Sequence, residues 1–576
     1  MSLEETRARL LTASETAEDL LTLISDLYVQ EIRSNEKFLT AAISELHNTS
    51  VIDIVKIVGG IDKNSCERDF FTILSAFENA LPTLNSRIED VIHCMVHLTQ
   101  QAGRDLAAGG LYIAFQRFCS VEVQRPRDSV RFILAQSEQN AYAPFLSSSI
   151  LAFDSNYVVE AIQITESLIA NKNEIIRSQA YFTLGKLNID ETHANVIWEL
   201  IFSTAVSEND NACCASILKA TLNFGEKFPI YWPKIKKLLI AIFEKESVEI
   251  LYMISDALAF QRFELPKSIL HMLVKQLSSV TYEHKAIIDN IDHLLVTLIK
   301  IEESGLALEL LESILVKGVK FKSLDYFSNE LINNYLELLN SIVTKWLLYG
   351  EISLCRSISD LLHDIAGKEI ELKAEMTLLD NEAKQLFVSR KVVGWLFTTP
   401  ISAASFILSI SEFVSINTIK KLEDILYYPL LLSYPGELKV FFQSSIDNDI
   451  QKDLCQRLLK KYKSYHDNIE KVFEINELKA PSENLSAYWR GFEKSMQEAY
   501  EEASKFSFIK MLAKNHVLLY GNSSVYYMHT GEGRSIRQEA EMHSFSHSTE
   551  MPRLNVLDPV SLDYLLMTCR CERMKK

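Results

Sequence analysis

The sequence predicts a mainly α fold: a helical-repeat body, an α-solenoid, followed by a small C-terminal α+β module containing a β-hairpin or short meander. Three observations predict it. Gly is 17 and Pro 12 of 576 residues, well below the usual ~7% and ~5%, and so few breakers favour helices joined by short loops. Apolar residues recur at i, i+3, i+4 and i+7 through most of the chain, the stripe of a helix with one buried face. After Asn515 that pattern gives way to short β-branched and aromatic runs, and the last part of the chain holds His516, His529, His543 and His547, four of the 13 His.

Taken in order, residues 1–140 read as helices at 4–30, 35–47, 66–80, 83–101 and 108–120. Their irregular spacing suggests a bundle or degenerate repeats. The opening MSLEETRARLL is acidic and amphipathic and lacks the basic and apolar regions of a signal peptide. On the 83–101 helix, Glu89, His93 and His97 fall at i, i+4, i+8. Carboxylate and imidazole on one face can ligate a metal in a bundle, with Glu67, Asp69 and Glu78 available for a second helix. The competing reading is a polar helix face with Glu–His pairs.

Residues 141–320 hold the clearest pattern. Asp190 is placed to cap a helix carrying Ala194, Ile197, Trp198 and Ile201. The segment NEIIRSQAYFTLGKL (173–187) puts Ile176, Ala180, Leu184 and Leu187 on one face, with small Ala180 allowing close approach and Gly185 near the helix end. Similar helices are expected at 211–224 and 247–260, with another between them at 233–245. Equating Leu184, Leu222 and Leu258 gives spacings of 38 and 36 residues, about two helices per repeat, as in an α-solenoid.

Residues 321–478 continue as helices, with amphipathic runs at 326–347 and 369–390 after one at 285–302. The uncharged stretch VVGWLFTTPISAASFILSIS, between Lys391 and Glu412, is long enough to span a bilayer. Pro400 splits it, so two short buried helices meeting at a Pro turn are expected, and no membrane span. On the helix at 451–465, Lys452, Arg457, Lys460, Lys461 and Lys463 are placed to touch anionic groups or to form a solvated face.

Residues 479–576 form the last part. LKAPSEN (478–484) reads as a linker, and Ser482 as the cap of the helix LSAYWRGFEKSMQEAYEEASKF. HVLLYGN and SVYYMHT, around Gly521-Asn522-Ser523, read as a hairpin. A turn at Thr530-Gly531-Glu532-Gly533 leads to a third strand in RSIRQEAEMHSF. Asp558-Pro559 starts a final helix. A truncation after Asn515 is expected to leave the body folded.

Chemistry is sought in this module. His543, His547, Cys569 and Cys571 are residue types that hold zinc in a tetrahedral site. Cys-x-Cys departs from the usual ligand spacing, and surface histidines with two half-buried thiols are the alternative. No cofactor is expected; zinc is the ion these four would take. For acid–base work the candidates are His543, His547, Glu498 and Glu501, with Glu493, Glu502 and His529 nearby in sequence. The competing reading is a solvated acidic helix face.

The segment IIRSQAYFTLGKL resembles the second helix of a HEAT or armadillo-type repeat, with Arg177 and Ala180 in the expected relation to Leu184. The resemblance covers 110 to 150 residues and implies a curved stack with a partner-binding face, and no catalytic residue. YWRGF (488–492) and YGNSSVYYM (520–528) resemble parts of the EH-signature domain that closes bacterial anti-phage proteins of the Zorya type. The strand before Gly521 lacks that family's Glu, and no residue is assigned a catalytic role from it. The resemblance implies a component of a bacterial antiviral defence system.

Net charge is −17, and residues 1–330, with 30 basic and 44 acidic side chains, hold −14 of it. Such a surface repels phosphate backbones and suits a basic protein partner. Nucleic acid binding is therefore not expected of the body and stays open for the C-terminal module. Nine irregularly spaced Cys form no disulfide framework, as expected of a reducing, cytoplasmic setting. Phosphate-binding loops, dinucleotide fingerprints, nucleophile elbows and H-E-x-x-H are missing from the sequence. The expected function is a non-enzymatic scaffold or adaptor that binds a protein partner through a helical-repeat surface. The rival is an enzyme or nucleic-acid-acting component with a His/Glu site in the C-terminal module.

Overall fold

Three successive helices form where an apolar stripe and a capping side chain coincide. Asn173 accepts a hydrogen bond from Ile175 N and opens Glu174–Lys186, Asp190 opens Glu191–Ser207, and Asp210 opens Asn211–Lys227. Each cap satisfies a backbone N–H that the first helical turn leaves free, typically worth about 1 kcal/mol. The computed structural model describes the chain except residues 1, 35–36, 67–68, 104–108, 261–263, 364–369, 445–447, 473–474, 476–481, 506–522, 531–533, 542–549, 554–559 and 575–576. The described residues are mainly helical and divide into two units, Met1–Leu310 and Leu311–Lys576.

In the first unit, Pro144–Ile150, Glu174–Lys186, Asn211–Lys227, Val248–Phe260 and Lys285–Lys300 each pack on the next. Between them run Val158–Ile169, Glu191–Ser207, Trp232–Phe243 and Lys267–Leu277, packed on that row. Leu184, Leu222 and Leu258 lie buried on three successive helices of the row. The contacts repeat with the sequence spacing. Ser178 bonds Ser216 at a separation of 38, Lys219 pairs with Asp256 at 37, and Asn290 donates to Ser255 at 35. The row closes tightest at Gly185, where a Cβ would lie 2.5 Å from Ala220 Cα.

A polar node ties neighbouring repeats together. The Arg177 guanidinium donates to both carboxylate oxygens of buried Glu208 (2.9 and 3.2 Å). Tyr181 Oη donates to the same carboxylate at 2.9 Å, and Asn209 N and Asp210 N add 3.0 Å bonds. Burial alone would raise the Glu208 pKa; the Arg177 bond, the Asp210 N–H and the Tyr181 hydroxyl outweigh it and hold the group at about 2.

Three boundaries differ from expectation. The run 4–30 is two helices, Leu3–Ala13 and Ala17–Ser34, because Thr16 and Asp19 bond reciprocally (2.6 and 3.1 Å) and start a new helix. The run 326–347 breaks at Tyr335 into Asp325–Asn334 and Leu336–Tyr349. In the run 369–390 the described residues form a 3-10 turn at Met376–Leu378 and are α-helical from Glu382, as Glu382–Leu396. Residues 370–375 are not helical, because their N–H groups are captured from outside: Leu372 N by Ser405, Lys373 N by Asn340, Ala374 N by Ser409 and Glu375 N by Thr344, all at 2.8–2.9 Å.

In the second unit, Pro400 occupies the first turn of Pro400–Ser411, which packs on Glu382–Leu396. No helix among the described residues is long and apolar enough to cross a membrane. Helices Ile416–Ile425, Pro435–Ser444 and the long Asp449–Val472 follow, then Ser482–Lys505. Strands β1 (Ser523–Thr530) and β2 (Arg534–Glu541) pair antiparallel, with Tyr526 opposite Gln538. The pairing joins SVYYMHT to the RSIRQEAE segment. The run HVLLYGN (516–522), expected as the first strand, and the expected turn residues 531–533 lie outside the described residues.

Candidate partner-docking cleft

The sequence-derived candidates are scattered. His543 and His547 lie outside the described residues. Cys569 and Cys571 sit on the terminal helix, Ser561–Cys571. Two positions on a helix are about 200° apart around its axis, so Cys569 is buried and Cys571 exposed, and the helix does not bring the two thiols together. Glu498 and Glu501 are exposed on Ser482–Lys505, where Glu498 lies 3.9 Å from Lys494 and Glu501 accepts from Gln497 at 3.2 Å. His93 contacts the Tyr142 hydroxyl at 3.0 Å, His97 the Ile61 carbonyl at 2.7 Å, and Glu89 pairs with Arg87. Among the described residues no group of three or more His, Cys, Asp and Glu gathers.

The terminal helix itself holds a position the sequence did not reveal. It packs on Glu382–Leu396, burying Leu562, Leu566 and Cys569. The bed is Gly394, where a Cβ would lie 2.9 Å from Arg570 N. Lys391 is fully buried beside it and donates to the Arg570 carbonyl at 2.6 Å; burial lowers its pKa. Arg390 holds Glu572 through two bonds of 2.8 and 2.6 Å, and Arg573 donates to the Gly350 carbonyl. Just upstream, Glu550 accepts from Gly436 N and Glu437 N (2.8 and 2.7 Å), capping Pro435–Ser444. Residues after Asn515 are thus not all a separate module: Glu550, Arg553 and the terminal helix are bonded to helices of the second unit. The signal was Gly394 within the helix Glu382–Leu396, one turn after Lys391.

The feature that fits recognition is a cleft of about 920 Å³ between Ile416–Ile425 and Asp449–Val472. Ser415 caps the first helix by accepting from Thr418 N at 3.2 Å, and Asn448 accepts from Ile450 N at 2.8 Å where the second begins. The two helices are joined across one side by Arg457, which pairs with Glu423 at 2.9 Å and with Asp453, and by Lys461, which pairs with Asp424 at 3.0 Å. Two of the five basic residues picked out on 451–465 are thus committed to carboxylates of this chain. The floor and lip are apolar: Val414, Ile416, Ile419 and Ile450 line the cleft, and Ile416 is 77% exposed. Around them stand Glu423, Asp424, Asp449 and Asp453 against Lys420 and Arg457.

Apolar side chains this exposed lose water contact only when something covers them, and a rimmed apolar patch is the usual mark of an interaction site. No protein-family model matches the chain, and no curated protein matches it.

Proposed function

We propose that this chain is a helical-repeat scaffold, an α-solenoid of HEAT-like character, that binds a protein partner through its helical surface. The observation that carries the reading is the repeating contact between successive helices of one row, at separations of 38, 37 and 35 residues. Stacked helix pairs of this kind present extended surfaces, and such surfaces bind protein segments. The acid-rimmed cleft of the second unit supplies a defined place for contact. The paired strands after residue 522 belong, in this reading, to a small accessory module carried between Asp449–Val472 and the terminal helix.

The test is purification of the tagged full chain under native conditions, with mass spectrometry and absorbance at 260 nm on the same sample. A stoichiometric protein without nucleic acid is the expected result. Nucleic acid at stoichiometric level, or a chain that elutes with no protein partner, overturns the reading.

A further inference from the structure

We infer that the cleft between Ile416–Ile425 and Asp449–Val472 receives a basic amphipathic helix of the partner protein. The inference rests on the scaffold reading and specifies which kind of segment the scaffold holds. Three features point to that occupant.

The first is shape. Ile416–Ile425 has 10 residues and so spans about 15 Å at 1.5 Å per residue, or roughly three helical turns. A helix laid along it needs apolar anchors on one face at i, i+3 or i+4, and i+7, the mode in which an amphipathic helix fills a groove. Ile416, Ile419 and Ile450 offer the apolar surface for those anchors.

The second is charge. The lining holds four carboxylates and two cations. Arg457 is spent on Glu423 and Asp453, and Lys461 on Asp424. Asp449, exposed on the first turn of its helix, pairs with no cation among the described residues, and it lines the cleft together with Ile450. Lysine or arginine flanking the apolar face of the incoming helix would complement Asp449, whereas an acidic helix would meet like charge.

The third is the exposure of the apolar lip. Ile416 (77%) and Ile450 (45%), which both line the cleft, are exposed, as is Phe413 (66%) shortly before Ile416 in the chain. Burying apolar area of this kind is favourable by about 25 cal/mol per Å².

The experiment titrates the full-length chain with two labelled synthetic peptides, read by fluorescence anisotropy. One carries Leu at helical spacing with Lys on the other face; its twin carries Glu in place of Lys. Ile416→Glu and Asp449→Lys are the test variants, both at exposed positions, with the circular-dichroism melt as the control for folding. The Lys peptide is expected to bind at least about tenfold tighter than the Glu peptide, equivalent to about 1.4 kcal/mol. Each variant is expected to weaken it about tenfold, and added salt to weaken it further. Equal binding of the two peptides overturns the inference. So does wild-type binding of the Lys peptide by the folded Ile416→Glu chain, since attraction to the net negative surface would then explain it. A native partner that stays bound to the Ile416→Glu chain also overturns the cleft assignment while leaving the scaffold reading in place; the scaffold reading itself falls by the outcomes of the native purification, stoichiometric nucleic acid or no protein partner.

Discussion

Glu208 is a residue of the first unit on which several polar contacts converge. It is almost fully buried, yet Arg177, Tyr181 and two backbone N–H groups satisfy it. Replacing Arg177 with Met leaves a buried carboxylate without its cation, and Arg177→Met should cost about 3 kcal/mol in denaturant unfolding. The pH dependence follows from its depressed pKa. The stability this group provides is present above the unfolded value near 4.5 and is lost as pH falls through about 2. Acid titration of wild type should show that loss, and the Arg177→Met chain much less of it. Glu78 has the opposite sign. Burial raises it to about 7, and its Oε1 has no hydrogen-bond partner among the described residues. Its contribution is full below about 4.5 and is lost as pH rises through 7. Glu78→Gln should therefore melt above wild type at pH 8, by roughly 2–4 °C for about 1 kcal/mol, with the gap closing at pH 4. A constant gap across that range would sink the assignment.

At the scale of elements, the terminal helix depends on one glycine. A side chain at Gly394 would sit 2.9 Å from the backbone of Arg570, and backbone cannot move aside cheaply. Gly394→Val should cost about 1–3 kcal/mol and should expose Arg570 and Arg573 to trypsin, as timed by mass spectrometry. Unchanged cleavage would mean that the helix does not need this bed. The sequence announced helices through local signals: Asp190 caps where it was expected to, Asn173 and Asp210 cap in the same way, and Ala194, Ile197, Trp198 and Ile201 form one buried stripe. It misled where partners are distant. Residues 370–375 have helical periodicity, but Ser405, Ser409, Asn340 and Thr344 take their N–H groups. No local window contains those four residues. The cleft was illegible for the same reason: Lys452 to Lys463 read as a basic run, and only the neighbouring helix reveals that Arg457 and Lys461 are neutralised.

For the molecule as a whole, the division into Met1–Leu310 and Leu311–Lys576 makes a simple claim. A fragment of residues 1–317, ending after the Ser304–Val316 helix, should keep its helical circular-dichroism signal and melt in a single cooperative transition. A broad, sloping melt would show that the first unit needs the rest of the chain. Its core is built from neighbours in sequence, which is why its helical character could be read from local spacing. The second unit is different, because Lys391 and Arg570 meet across 179 residues. A ribosome adds about 5–20 residues per second, so roughly 10–35 s separate the synthesis of the two partners. Throughout that interval the Gly394 face and the Lys391 ammonium stand uncovered on the nascent chain. The second unit is thus completed late in its own synthesis, and a chaperone that shields this bed during translation would act at the step where the unit is most open to misassembly.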